Sequence, residues 1–171
     1  MTEQWREIPG YEGRYEVSDQ GRVRSMDRVV VASNGAVRHL PGRMLKVYKQ
    51  RYWLVSLAAT ADRPPSHPRV HVLVLSAFVG TRPEGQMGRH LDDDIDNNTL
   101  PNLAWGTNSD NMLDAVRNGT HREARKTHCI RNHEFDGVRD GNRTCSKCRR
   151  ITENAARARK RGVVGQEGEK R

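Results

Sequence analysis

Between Met87 and Gly119 the chain reads MGRHLDDDIDNNTLPNLAWGTNSDNMLDAVRNG. One imidazole, His90, stands near the carboxylates Asp92, Asp94 and Asp96 and the amides Asn97, Asn98, Asn102 and Asn111. An imidazole titrates close to neutrality and can take a proton from water. Oxygen ligands suit a hard divalent cation such as Mg²⁺ or Mn²⁺. A second set is soft: Cys129-x3-His133 and Cys145-x2-Cys148. Three thiolates and an imidazole suit tetrahedral Zn²⁺, and four protein ligands close the site to water, so this ion is structural. Three Cys so near one another and a His read as a metal site in preference to disulfides. His121 and His128 are lesser candidates for ligands. Without metal, about twenty polar residues here could not hold a fold.

Short elements must position these groups. A brief apolar segment delivers His90, a polar turn follows, and Asn102 to Trp105 form a second strand. Thr107 with Asp110 three residues on marks a helix start close to a capping box. Met112, Leu113 and Val116 give that helix an apolar face, and Gly119 ends it. Asp92, Asp94 and Asp96 suggest a calcium loop, but Asn97 and Leu103 stand where Gly and a bidentate Glu belong. Asp94 and Asp96 then read as a solvated turn, and Asn97 and Asn98 as turn-forming residues.

Upstream, Tyr15–Ser18 and Arg22–Ser25 alternate around the turn Asp19-Gln20-Gly21, with Val17 and Val23 inward and Arg22 and Arg24 outward. Val29 to Ser33 and Ala36 to Leu40 flank Asn34-Gly35, a type I′ hairpin signal. Tyr52 to Leu57 is a further strand. Ala61 to Arg69 is Pro-rich and reads as a linker. His71 to Val79 is an apolar run that periodicity alone cannot assign.

The central stretch resembles the HNH (His-Me finger) nucleases, in particular the homing type of phages and introns. His90-x-Asp92, Asn97-Asn98, Asn102-Leu103-x-Trp105 and Asn111 carry the likeness, extended upstream by Val70-His71-x-Leu73-Val74-x-x-Ala77-Phe78. Trp5, Ile8-Pro9-Gly10-Tyr11, Tyr15-x-Val17-Ser18 and Gly21 to Ser25 resemble the small DNA-binding motif found beside such domains. Small Cys/His zinc modules resembling Cys129 to Cys148 recur near the ends of phage HNH proteins. The resemblance implies an α+β fold: a small N-terminal antiparallel β region, a ββα-metal nuclease core and a small zinc-binding C-terminal module. It makes 71–79 a helix ended by Gly80, with His71 packing against the core.

It also implies phosphodiester hydrolysis, which needs an activated water, counter-charge for the transition state and help for the leaving oxygen. His90 would be the general base, Asn111 a helix-borne metal ligand, and Asn102 the residue that ties the loop and orients His90. Two positions depart from the family. Arg89 stands where many relatives carry an acidic ligand; Asp92, on the same strand face as His90, is the substitute, and Arg89 could clamp phosphate instead. Asp93 stands where Gly is usual, and Asp tolerates a positive φ.

The net charge of +9 on 171 residues points to a polyanionic partner, here double-stranded DNA. Arg22, Arg24, Arg28, Arg43, Lys46, Lys49 and Arg89 are the candidate DNA contacts. Hydrophobic content of 35% favours small modules over one large core. We read residues 1–60 as a β-rich DNA-binding region, 66–121 as the nuclease core, 127–150 as the zinc module and 151–171 as a basic tail. In the tail, 152–161 is a helix and Gly162 onward is disordered. The zinc module would present Lys147, Arg149 and Arg150 to the DNA backbone. No apolar run is long enough to span a membrane, and MTEQWREIPG has no secretory character. These features predict a monomeric, site-specific nickase acting in the cytoplasm of a phage-infected bacterium. The alternatives are a non-catalytic DNA-binding or regulatory phage protein with the same fold, and a packaging-associated or structural one.

Overall fold

The structure, a computed structural model, describes residues 2–60 and 62–166, of which 162–166 as backbone alone. It divides into two compact units, Met1–His121 and Arg122–Arg171.

The first unit begins with β1 (Trp5–Glu7), β2 (Tyr15–Ser18) and β3 (Val23–Ser25). Val17 pairs with Val23 across the hairpin, and both are buried. The turn closes through Ser18, whose Oγ accepts the amides of Gln20 and Arg22. A second hairpin follows, β4 (Arg28–Val31) and β5 (Val37–Leu40). Its loop is not the expected two-residue type I′ turn. Ala32 and Ala36 pair, leaving three loop residues, and of these only Gly35 is left-handed (φ 78°). Asn34 instead accepts the Ala36 amide on its side chain. Next, β6 (Arg43–Met44) joins β3, giving an antiparallel sheet in the order β1-β2-β3-β6. Then β7 (Val47–Lys49) pairs with β8 (Trp53–Val55).

The Pro-rich stretch is no free linker. Leu57 and Ser66 exchange backbone hydrogen bonds, Leu54 bridges Arg69, and the Tyr11 hydroxyl meets Ser66 Oγ at 2.7 Å. This extended segment delivers α1 (Val70–Phe78). The apolar run is helical, as the resemblance implied, because it is enclosed on several sides: Val70, Leu73, Val74 and Leu75 join Ile8, Tyr11, Tyr15, Val17, Val23, Val55, Leu57 and Leu103 in one core. Burying such side chains contributes about 1.5–3 kcal/mol each. Arg6 crosses to the far end of α1 and donates to the carbonyls of Ala77 and Phe78, a cation where the helix needs one. The sheet and the nuclease segment thus share a core.

Beyond α1, β9 (Met87–His90) and β10 (Leu103–Gly106) form an antiparallel ribbon in which His90 faces Leu103. A 3-10 turn, Leu100–Asn102, precedes β10. Thr107 then opens α2 (Asn108–Arg117) with a full capping box: its hydroxyl accepts the Asp110 amide, and the Asp110 carboxylate accepts the Thr107 amide at 2.8 Å. Gly119 closes it with φ 68°.

The second unit opens with α3 (Arg122–Arg125), then β11 (Gly137–Arg139) and β12 (Asn142–Thr144). Asp140 and Gly141 both take positive φ, so this hairpin has the type I′ turn. Last comes α4 (Ser146–Gln166). The backbone is therefore helical past Gly162, where disorder was expected; 167–171 lie outside the described residues. Among the described residues no helix is long and apolar enough to cross a membrane.

Candidate functional site

His90 ends β9 with 5% of its surface exposed. Its ring is fixed on three sides. Tyr52 stacks on it nearly parallel, with centroids 6.4 Å apart. His71 from α1 meets it edge-on at 4.8 Å. Asn98 Oδ1 lies 3.2 Å from Nε2. The Asn98 amide orientation is fixed in turn, because its Nδ2 donates to the Asp96 carbonyl. An amide oxygen only accepts, so Nε2 carries the hydrogen and Nδ1 keeps a lone pair. His71 is buried, and burial first, with His90 and Arg69 beside it, pushes its pKa down to about 4. It stays neutral near pH 7 and adds no positive charge against His90.

The turn after β9 is tied by its own acids and amides. Asn102 Oδ1 accepts the Asp92 amide, and Asn102 Nδ2 donates to Asp92 Oδ1 at 2.8 Å and to the Asn97 carbonyl at 2.9 Å. Asp92 also accepts from Asn97 Nδ2 and the Asp94 amide. Burial raises the Asp92 carboxyl, but these donors outweigh it and hold it below its ordinary value. Asp93 has φ 61°, the left-handed conformation expected where relatives carry Gly. It accepts from Asn118 Nδ2 and Thr120 Oγ1, lashing the turn to the end of α2. Asp96 is exposed, as expected of a solvated turn, and it also receives Lys49 Nζ at 2.7 Å and Trp53 Nε1 at 2.9 Å. The N-terminal hairpin reaches the same turn, since a Cβ on Gly21 would lie 2.9 Å from the Asn98 Cβ.

The Asn102 side chain ties the loop, and the side chain on His90 belongs to Asn98. Only the folded turn tells two adjacent asparagines apart.

Helix α2 presents a different face from the one its apolar residues suggest. Met112, Leu113 and Val116 are all about half exposed, while Asp114 is buried. The reason is Arg89: its guanidinium pairs with Asp114 Oδ2, and Arg117 holds Oδ1 at 2.9 Å. Asn111, one turn earlier on the same side, is half-buried, and its side chain makes no hydrogen bond to a described residue. An ionised carboxylate at Asp92 and an uncommitted amide at Asn111 are hard oxygen donors, and their chemistry fits Mg²⁺ or Mn²⁺.

The other candidate DNA contacts vary in freedom. Arg22 pairs with Glu3, and Arg24 with Glu16 at 2.7 Å while covering Trp5. Arg28 lies over Tyr15 and donates to the Met26 carbonyl. Arg43 and Lys46 are exposed.

In the second unit, Cys129, His133, Cys145 and Cys148 converge, their ligand atoms all within 4.8 Å of one another. Cys129 Sγ lies 3.5 Å from Cys148 Sγ, and His133 Nδ1 lies 3.7 Å from Cys145 Sγ and 3.4 Å from Cys148 Sγ. Tetrahedral zinc bonds imply edges of about 3.8 Å between sulfurs and about 3.5 Å from sulfur to nitrogen. The four residues fit such an ion. The Cys129 sulfur beside it, together with burial, pushes the Cys148 thiol up to about 11, and a dication is what would let these thiols ionise together. His128 is directed to Thr127 and Glu134, outside the cluster; His121 is not part of it either.

Residues 3–57 match the NUMOD4 motif and residues 69–113 the HNH endonuclease family. DNA endonuclease I-HmuI of Bacillus phage SP01 is 31% identical over 117 residues, 68% of this chain and 60% of that protein. A solved structure of DNA binding and cleavage by the HNH homing endonuclease I-HmuI aligns at the same identity and coverage with a TM-score of 0.52. The present chain thus spans 60% of that relative's length. Neither family match reaches the Cys/His cluster. The chain carries a NUMOD4 motif followed by an HNH endonuclease domain.

Proposed function

We propose that this protein is a metal-dependent DNA endonuclease that hydrolyses phosphodiester bonds in double-stranded DNA, as a site-specific nickase of the homing type. The carrying observation is the fixed His90, whose Nε2 is engaged by Asn98 and whose Nδ1 is left as the basic atom. The Nδ1 lone pair takes the proton of the attacking water. Asn98, Tyr52 and His71 hold the ring so that no reorientation is needed at that moment. Asn111 and Asp92 would hold one Mg²⁺ or Mn²⁺, which supplies charge stabilisation to the transition state and the leaving oxygen. Cys129, His133, Cys145 and Cys148 would hold a separate structural Zn²⁺. One such site per chain suits a monomer that cuts one strand. The similarity to I-HmuI supports DNA as the substrate.

A second reading, a DNA-binding protein without cleavage, draws on Arg89. A guanidinium beside His90 neutralises Asp114, the buried carboxylate nearest in sequence to Asn111. Incubating supercoiled plasmid and phage DNA with Mg²⁺ separates the two. Nicking by the wild type, lost in His90→Ala with binding kept, supports the nuclease; binding without nicking in either supports the alternative.

A further inference from the structure

The second unit carries a helix that the proposed nuclease chemistry does not use. From Arg149 to Arg161 every residue of α4 is exposed. A helix with no buried face gains nothing from a core. Its anchorage is confined to its first turns. Asp136 accepts the Ser146 amide at 2.8 Å and the Ser146 hydroxyl, Cys145 and Cys148 belong to the Cys/His cluster, and Thr152 Oγ1 donates to the Cys148 carbonyl.

The charges on this helix are sorted. At about 100° per residue, Arg149, Arg150, Arg157, Lys160 and Arg161 fall within an arc of about 120°. Ile151, Ala155 and Ala158 lie on the opposite side, where Arg159 is the one cation among residues 149–161 outside the arc. The arc contains one acid, Glu153, which pairs with Arg149 at 3.6 Å. Arg150, Arg157, Lys160 and Arg161 have no acidic partner among the described residues. They extend over about 17 Å of helix. Four unpaired cations on one face repel one another, an arrangement that a polyanion relieves.

We infer that the basic face of α4 is a second duplex-binding surface, which grips the phosphate backbone independently of the HNH site. This rests on the reading of the protein as a DNA endonuclease. The duplex presents about one phosphate per 1.7 Å of axis, so a helix of this length can meet several at once. Its major groove is about 12 Å wide, enough for an α-helix. The metal cluster would set the direction in which the helix leaves its unit.

The test measures binding of the full-length protein to a 30-base-pair duplex across a salt series, with plasmid nicking followed in parallel. Changing Arg150, Arg157, Lys160 and Arg161 together to Gln should lower the slope of log affinity against log salt by about 3.6 and weaken binding more than tenfold near physiological salt. Glu153→Gln, which removes the acid in the arc, should tighten binding and needs no loss of structure to do so. An unchanged slope and affinity in both variants overturns the inference. If the wild type nicks DNA and both variants bind as it does, only this inference fails. If the wild type does not nick but the variants shift binding as stated, the nuclease reading fails and α4 still binds the duplex.

Discussion

Arg89 and Asp114 close an ion pair between β9 and α2, with 2% of the Asp114 side chain exposed. This pair is a buried link between the helix and the ribbon that carries His90, whereas the apolar residues Met112, Leu113 and Val116 stay about half exposed. Breaking one side of a buried pair typically costs about 3–5 kcal/mol, because the other charge is left without compensation. Asp114→Ala should therefore destabilise the first unit by that amount in urea unfolding. The double variant Arg89→Met, Asp114→Leu should recover much of it. A single variant as stable as wild type would show that the pair is not what holds α2.

Asn98 is expected to act through His90. Asn98→Ala frees the ring and its tautomer, so kcat for nicking should fall about 10²-fold with little change in KM. A KM effect alone would assign Asn98 to DNA binding.

Asn111→Ala and Asp92→Ala should each raise the Mg²⁺ concentration needed for half-maximal nicking. Asp92→Ala should also loosen the turn, since its carboxylate accepts three hydrogen bonds. An unchanged metal titration in Asp92→Ala would remove it from the ligand set.

His71 gives a pH signature. Its pKa is lowered to about 4, against 6.5 when unfolded. The unfolded chain therefore binds the extra proton between these values, and stability contributed by neutral His71 is complete above pH 6.5 and lost as pH falls toward 4. The full shift corresponds to about 3 kcal/mol. His71→Leu should flatten this part of the stability curve, measured by urea unfolding at pH 7.5, 5.5 and 4.5. Parallel curves for the two proteins would contradict the burial of a neutral His71.

Protein purified without added zinc should contain about one equivalent by elemental analysis, and Cys145→Ser should lose it. Chelation should unfold the second unit while the first keeps its cooperative transition. A metal content near zero in the wild type would refute the assignment.

What the sequence revealed follows local chemistry. Thr107 with Asp110, Gly119 and the left-handed Asp93 were all legible because capping and φ preferences act within a few residues. The four zinc-type ligands were legible from spacing alone. Long-range pairings were not. Arg89 and Asp114 are 25 positions apart, and nothing local says that α2 turns a carboxylate inward and leaves Met112, Leu113 and Val116 outside. The Pro-rich segment hid its pairing with Leu57 because Pro forbids only some backbone bonds, and Ser66 makes the permitted ones. The β11–β12 hairpin could have been found: Asp140-Gly141 is a strong turn signal that the nearby ligand spacing overshadowed.

Two positions in the β9–β10 ribbon, Gly88 and Gly106, have no side chain. A Cβ on Gly106 would stand 2.3 Å from Arg89 Nε, and one on Gly88 would stand 2.9 Å from His71 Cδ2. Sliding β10 by one residue would bring a side chain into the first gap and turn each strand residue to the opposite face. The ribbon therefore has one usable alignment, keyed by what is missing from it. A deep mutational survey should find Gly88 and Gly106 nearly as intolerant of replacement as His90, although neither has a functional group to lose.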